Sequence, residues 1–265
     1  MGRKFVSAIV LLATTASCGV SLMERRQLLM LSDDRVDQQE LALYAQCKRD
    51  VPISKSGGDQ KYVGCGTEAL ATEVADGDIP DSWEVNTFKD DSPNAFAIPG
   101  GKIGVHTCLL DVADNQDQLA AGLGHEVSRV LARHSNERMS ANQATGMLMA
   151  GTQTSGAVHP DVMSAFGVGA QYRLILAYGR ARESEADFMG LDLMAQAGFD
   201  PREAVVFWNN MDEAASASGG QAPPDFLSTH PGSATRNHDL NERMPTAMQL
   251  NQQARAQGKK LRCTR

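Results

Sequence analysis

Gly124-His125-Glu126-Val127-Ser128-Arg129-Val130-Leu131-Ala132-Arg133-His134 lies inside a run, Gln116 to Glu137, whose apolar residues Leu119, Leu123, Val127, Val130 and Leu131 recur at i, i+4 and i+7. That spacing predicts an amphipathic helix, because positions three and four apart share one face. Asn115 is placed to cap it, with Gln118 three residues on as the reciprocal partner. Upstream the period changes. Trp83 to Phe88 alternates as a strand does, and Asn94-Ala95-Phe96-Ala97-Ile98 meets Pro99-Gly100-Gly101 and continues into Lys102 to Val105, which predicts a β-hairpin. Downstream, residues 140–180 show no clean period. Arg182 to Ala197 reads as a helix ending at Gly198, and Asp200-Pro201-Arg202-Glu203 opens another. Residues 24–49, without Gly or Pro, predict an exposed first helix, and 66–76 a second. Residues 213–226, with Ser218-Gly219-Gly220 and Pro223-Pro224, predict a flexible loop. The fold class is α+β: mostly helical, with a small antiparallel sheet.

His125-Glu126-Val127-Ser128-Arg129 carries the chemistry. In a His-Glu-x-x-His helix, two imidazoles four residues apart reach one metal ion, and the intervening Glu activates a metal-bound water. The first His and the Glu are present, but the second His position is Arg129. A guanidinium is always protonated and offers no lone pair, so Arg129 cannot be a ligand. His134, nine residues past His125, falls on roughly the opposite side of a continuous helix. His106, His159 and His238 have no motif behind them.

Five segments in order raise the weight of that pair: Asn94 to Gly101, Gly124-His125-Glu126, Leu131-Ala132-Arg133-His134, Glu183-Ser184-Glu185-Ala186-Asp187 and Ser228-Thr229-His230-Pro231. Together they strongly resemble metallopeptidase family 48, over roughly residues 60–245. The resemblance implies a gluzincin-like fold, one zinc ion, and these roles: His125 and Glu183 as metal ligands, Glu126 as general base, and Asp187 as the group assisting protonation. His230 can approach the metal, and Asn94, Ala95, Phe96 and Ala97 form the edge strand along which a peptide lies as an added strand. Arg129 disrupts a ligand position. Two arrangements are then open. Either His125, Glu183 and His230 hold a rewired zinc site with Arg129 swung outward, or Arg129 pairs with Glu183 or Glu126 and supplies the charge that zinc would bring. Two functions follow from them: a zinc metalloendopeptidase acting on misfolded or misassembled envelope proteins, or a non-catalytic pseudoprotease acting as chaperone or adaptor in the same setting.

The N-terminus reads as an export signal. Arg3 and Lys4 precede the apolar run Phe5 to Ala13, about nine residues against the ~20 that a membrane span needs. Ala16-Ser17-Cys18 then places a cysteine where a bacterial lipoprotein carries its acyl chains. The expected divisions are a signal over 1–18, a helical extension over 19–60, a metallopeptidase-like domain over 61–248 and a tail over 249–265. An exported, periplasmic chain is the expectation, either lipid-anchored through Cys18 or plainly secreted. Cys47, Cys65, Cys108 and Cys263 permit two disulfides, and the turn-rich stretch from Pro52 to Gly58 favours Cys47–Cys65. With 25 basic and 32 acidic side chains the net charge is −7, the wrong sign for a nucleic-acid binder. The expected partners are unfolded or misassembled envelope polypeptides and outer-membrane assembly factors.

Overall fold

The computed structural model describes residues 18–74, 83–155, 179–217 and 235–265. The hairpin predicted from Pro99-Gly100-Gly101 is present: β4 (Ala95–Ile98) and β5 (Lys102–His106) pair antiparallel. Gly100 and Gly101 both take positive φ, 83° and 73°, a backbone region that L side chains rarely adopt. β3 (Glu84–Phe88) joins β5 in parallel, so the sheet is mixed rather than wholly antiparallel, in the order β3-β5-β4. Among the described residues β4 is therefore an edge.

Residues Asp33–Asp50 form α1, Gly57–Ala71 α2, Leu109–Val112 α3 and Gln116–Leu131 α4. The Asn115 carboxamide oxygen caps α4, accepting from the backbone N–H groups of Asp117 and Gln118, each at 2.9 Å. Gln118 does not return the favour to Asn115. Its oxygen accepts from Asp114 N–H and its amide donates to Glu203. Every residue of α4 from Gln118 to Ser128 is buried, because α2, β4 and a later helix all pack on it. The one-sided stripe understates a central helix.

The helix expected to run to Glu137 breaks earlier. Arg133 turns left-handed at φ 55°, and His134–Ser155 begins α5. No glycine or proline marks that corner. The Ala132 carbonyl instead accepts from the Gln27 side chain at 2.6 Å, and His134 bonds Glu185 at 2.9 Å. Residues 179–196 form α6, which ends at Gly198 with φ 95° as expected. Glu203–Ala217 is α7 and Arg236–Ala256 is α8. Residues 213–217, assigned to a loop from sequence, complete α7, and the rest of that stretch lies outside the described residues.

The N-terminal prediction also needs correction. In place of helix from residue 24, β1 (Cys18–Val20) and β2 (Arg26–Leu28) form a hairpin, and α1 starts at Asp33. Arg25 explains the override. Its guanidinium bonds both Glu137 oxygens at 2.6 Å and reaches Glu185 at 2.7 Å. These long-range ion pairs outweigh a helix preference worth a few tenths of a kcal/mol, ~0.5, per residue. The second helix, α2, begins nine residues ahead of the predicted start at 66, since glycines at 57, 58, 64 and 66 hide its period.

The disulfide is Cys65–Cys263, with Cα atoms 5.7 Å apart, while Cys47 and Cys108 are free thiols. The expected Cys47–Cys65 pair fails because Cys47 packs beside the Tyr44, Phe88 and Ile98 cluster under α1, whereas Cys65 joins the main core together with Cys263. Residues 249–265, expected as a tail, are built into the body: Arg265 pairs with Asp59 at 2.7 Å and Cys263 N–H bonds Gln116 at 2.8 Å. Closing a loop across a separation of 198 residues strongly restricts the unfolded chain. Cys263→Ser should cost about 2–5 kcal/mol in urea unfolding, and dithiothreitol should lower the native protein to the same value.

Candidate active site

The site depends on two helices meeting without side chains between them. A Cβ on Gly124 would sit 2.9 Å from the Gly190 carbonyl oxygen, and one on Gly190 would sit 2.7 Å from His125 N. Only glycine at both positions lets α4 and α6 touch backbone to backbone. That contact sets Glu183 and Asp187, one turn apart on α6, against the ring of His125.

His125 is 1% exposed and held on every side. Its Nδ1 lies 2.8 Å from Asp187 Oδ1, its Nε2 lies 3.4 Å from Glu183 Oε2, and the Trp208 ring meets it edge-on at 5.2 Å. Arg236, the first residue of α8, is the functional residue that sequence reasoning missed. Its Nε donates to Asp187 Oδ2 at 2.8 Å, its Nη2 reaches Glu183 Oε2 at 3.3 Å, and its guanidinium lies 4.0 Å over the Trp208 ring. Both Asp187 oxygens are thus engaged away from the cleft. Asp187 thereby fixes the ring of His125 through one oxygen and Arg236 through the other.

Arg129 lies in the second of the two arrangements open from sequence. Its Nη1 donates to Glu183 Oε1 at 2.7 Å, and its Nε is 3.8 Å from Glu126 Oε2. The cluster balances three carboxylates, Glu126, Glu183 and Asp187, against two guanidiniums and the imidazole of His125. Burial opposes charge on that imidazole, but hydrogen bonds from it to Asp187 and Glu183 prevail and raise its pKa to about 9. A raised histidine pKa stabilises the folded state fully below its unfolded value of about 6.5, and that contribution disappears as pH rises through about 9. Urea midpoints should therefore fall between those limits, and His125→Gln should flatten the profile.

Among the described residues the donors do not complete a zinc site. A catalytic zinc site takes three protein ligands and an open position. Among the described residues only His125 and Glu183 converge, and Glu183 is already bound by Arg129 and Arg236. His230 and His159 lie outside the described residues. His134, buried, belongs to the Glu185–Arg25–Glu137 network instead. His106 is structural, 3.1 Å from the Ser92 carbonyl oxygen. His238, Asp239 and Glu242 bring ligand atoms within 4.8 Å of one another on α8, and none of them lines the cleft.

That cleft has a volume of about 260 Å³. Asn94 to Ile98 form one wall, Glu40, Leu43, Tyr44 and Cys47 of α1 contribute another, and Glu126 and Arg129 line it as well. His106 N–H bonds the Asn94 carbonyl, so on β4 the alternate residues Asn94, Phe96 and Ile98 face β5. The backbone N–H and C=O groups of Ala95 and Ala97 point to the open edge. The Phe96 ring packs between Tyr44 and Phe88, at 6.1 and 6.0 Å.

The chain is similar in sequence to proteins described as metalloendopeptidases and proteases. The mitochondrial metalloendopeptidase OMA1 of Schizosaccharomyces pombe is 38% identical over 169 residues, 62% of this chain and 48% of that protein. The Saccharomyces cerevisiae protein of the same description is 32% identical over 179 residues, 65% of this chain and 50% of its own length. The beta-barrel assembly-enhancing protease of Escherichia coli K12 is 30% identical over 168 residues, 59% of this chain and 33% of that protein. The chain thus spans half or less of each of these relatives. The description of peptidase family M48 itself matches residues 59–244, from α2 well into α8, which takes in the β4 and α4 sides of the cleft but not the α1 wall, and the chain belongs to that family.

Proposed function

We propose that this chain binds unfolded or misassembled polypeptides of the bacterial envelope in the M48 cleft, as a strand added to β4, without hydrolysing them through zinc. The observation that carries the reading is the 2.7 Å ion pair between Arg129 and Glu183, which places a fixed positive charge on a carboxylate the family uses for metal. A guanidinium there repels a divalent cation and offers it no ligand. Arg129 lines the same cleft, but the edge strand keeps its outward face. Ala95 and Ala97 keep their outward backbone groups, and the cleft stays open beside them. The envelope setting is supported by the leader sequence, by Cys18, and by a disulfide that suits an oxidising compartment. One relative is described as enhancing β-barrel assembly, which favours assembly factors as partners.

Ala97→Pro provides the test. It removes an N–H directed at the open edge, and leaves the β4–β5 ladder intact. Binding of reduced, carboxymethylated α-lactalbumin should weaken by about 10-fold, from lost strand pairing of ~1.4 kcal/mol. Unchanged binding would refute the edge-strand mode. A second reading is favoured by the retention of His125, Glu126 and Glu183 in one place: a zinc metalloendopeptidase whose ligand set His230 completes. About one zinc per unmodified chain, with cleavage of the same lactalbumin, would decide for it.

A further inference from the structure

The β1–β2 hairpin has two faces of opposite character. Its register pairs Gly19 with Gln27 and Val20 with Arg26, so alternate residues share a face. The inner face is polar and buried: the Ser21 hydroxyl donates to Glu185, and Gln27 donates to the Ala132 carbonyl. The outer face should then be polar as well, since solvent covers it. Exposed Arg26 stands on it beside apolar Val20, and the turn and the segment after β2 add further exposed apolar side chains. Val20 is 69% exposed, Leu22 61%, Met23 38% and Met30 37%, four of the nine large apolar side chains exposed among the described residues, all within eleven positions. A slip of one residue would bury Val20 but would expose Gln27, and the Arg25 clamp on Glu137 and Glu185 forbids it.

Cys18 is the first residue of β1, paired with Leu28 and two positions before Val20. Buried Ser21 is three positions on, a span of about 10 Å at full extension. Acyl chains on Cys18 would leave no linker between bilayer and body.

We infer that the outer face of this hairpin rests on a phospholipid surface, with Val20, Leu22 and Met23 entering the acyl boundary beside the lipid on Cys18 and Arg26 at headgroup level. The inference rests on the reading of Cys18 as the acylated residue, and that part is tested separately. Side chains of this size add to an acyl anchor by their buried apolar area, the second signal that stable anchoring requires. The same contact fixes the orientation of the cleft relative to the membrane, because the hairpin is bonded to α5 and α6, which flank the site.

The experiment uses the full chain, exported and processed, in vesicles of phosphatidylethanolamine and phosphatidylglycerol carrying brominated acyl chains. Leu22→Trp reports the hairpin, and Val206→Trp, exposed on α7, is the reference. Mass spectrometry of the N-terminal peptide reads acylation of Cys18. The expected result is acylated Cys18, with bromine quenching of the indole added by Leu22→Trp about threefold or more above that of the indole added by Val206→Trp, after subtraction of native Trp83 and Trp208. Equal quenching in acylated protein would overturn the lipid contact and leave the anchor standing. An unacylated Cys18 overturns the placement as stated. Lipid-free sedimentation of a Val20→Ser, Leu22→Ser double variant closes the remaining route: loss of a dimer present in the parent would make this face an interface between copies.

Discussion

Arg129→His is expected to turn a chain without stable zinc into one that holds about one ion per molecule. The substituted imidazole stands four residues from His125, on the same face of α4, and, unlike a guanidinium, it can give up its proton to zinc and present a lone pair. It also releases Glu183 Oε1 from its 2.7 Å ion pair. Loss of groups that merely orient a ligand costs metal affinity 10–100-fold, so restoring a ligand and removing a repelling charge should gain more than about 100-fold. Equilibrium dialysis against zinc, with Arg129→Lys as the control that keeps the charge, measures it. Hydrolysis of unfolded lactalbumin should appear in the same variant. Adding Glu126→Gln should then remove about 10²–10⁴ of that rate while zinc stays bound. A folded Arg129→His protein that takes up no more zinc than Arg129→Lys would show that the scaffold has lost more than one ligand.

Arg236→Met is expected to be the most destabilising single change in the site. Arg236 is 6% exposed and answers two carboxylates that are themselves buried. Methionine fills part of the same space over Trp208, but leaves Asp187 and Glu183 short of a countercharge. Breaking a buried pair from one side costs about 3–5 kcal/mol. For a chain of this size that is a fall of about 10 °C in Tm. Arg243→Met is the comparison: Arg243 pairs with Asp192 at a third exposed and should cost under about 1 kcal/mol. Similar losses from the two variants would refute the argument that burial makes Arg236 costly to remove.

Sequence made α4 and the β4–β5 hairpin legible because their signals are local. Asn115 caps its own helix, and Pro99-Gly100-Gly101 sets its own turn. The same locality conceals the rest. Residues 24–32 carry helix-forming side chains, yet Arg25 finds Glu137 112 positions away and the chain pairs as strands. The corner at Arg133 has no breaker residue, since its cause is Gln27. Cys65 and Cys263 are 198 positions apart, and their spacing carries no information about their pairing. His125, Glu126, Glu183 and Arg129 were readable as a set through their motifs. Arg236 stands apart from those motif residues, and no local pattern marks it. Gly124 and Gly190 look ordinary within helices until the two backbones are seen in contact.

The Cys65–Cys263 bridge has a consequence beyond unfolding free energy. It makes almost the whole family region a covalent ring, with α2 and the last three residues as the clasp. A single cut anywhere between those cysteines opens the ring without releasing a fragment. In a compartment shared with active proteases, a nicked molecule therefore keeps both sides of its cleft. Its damage would show as two bands only after reduction, and as one band of full mass before it.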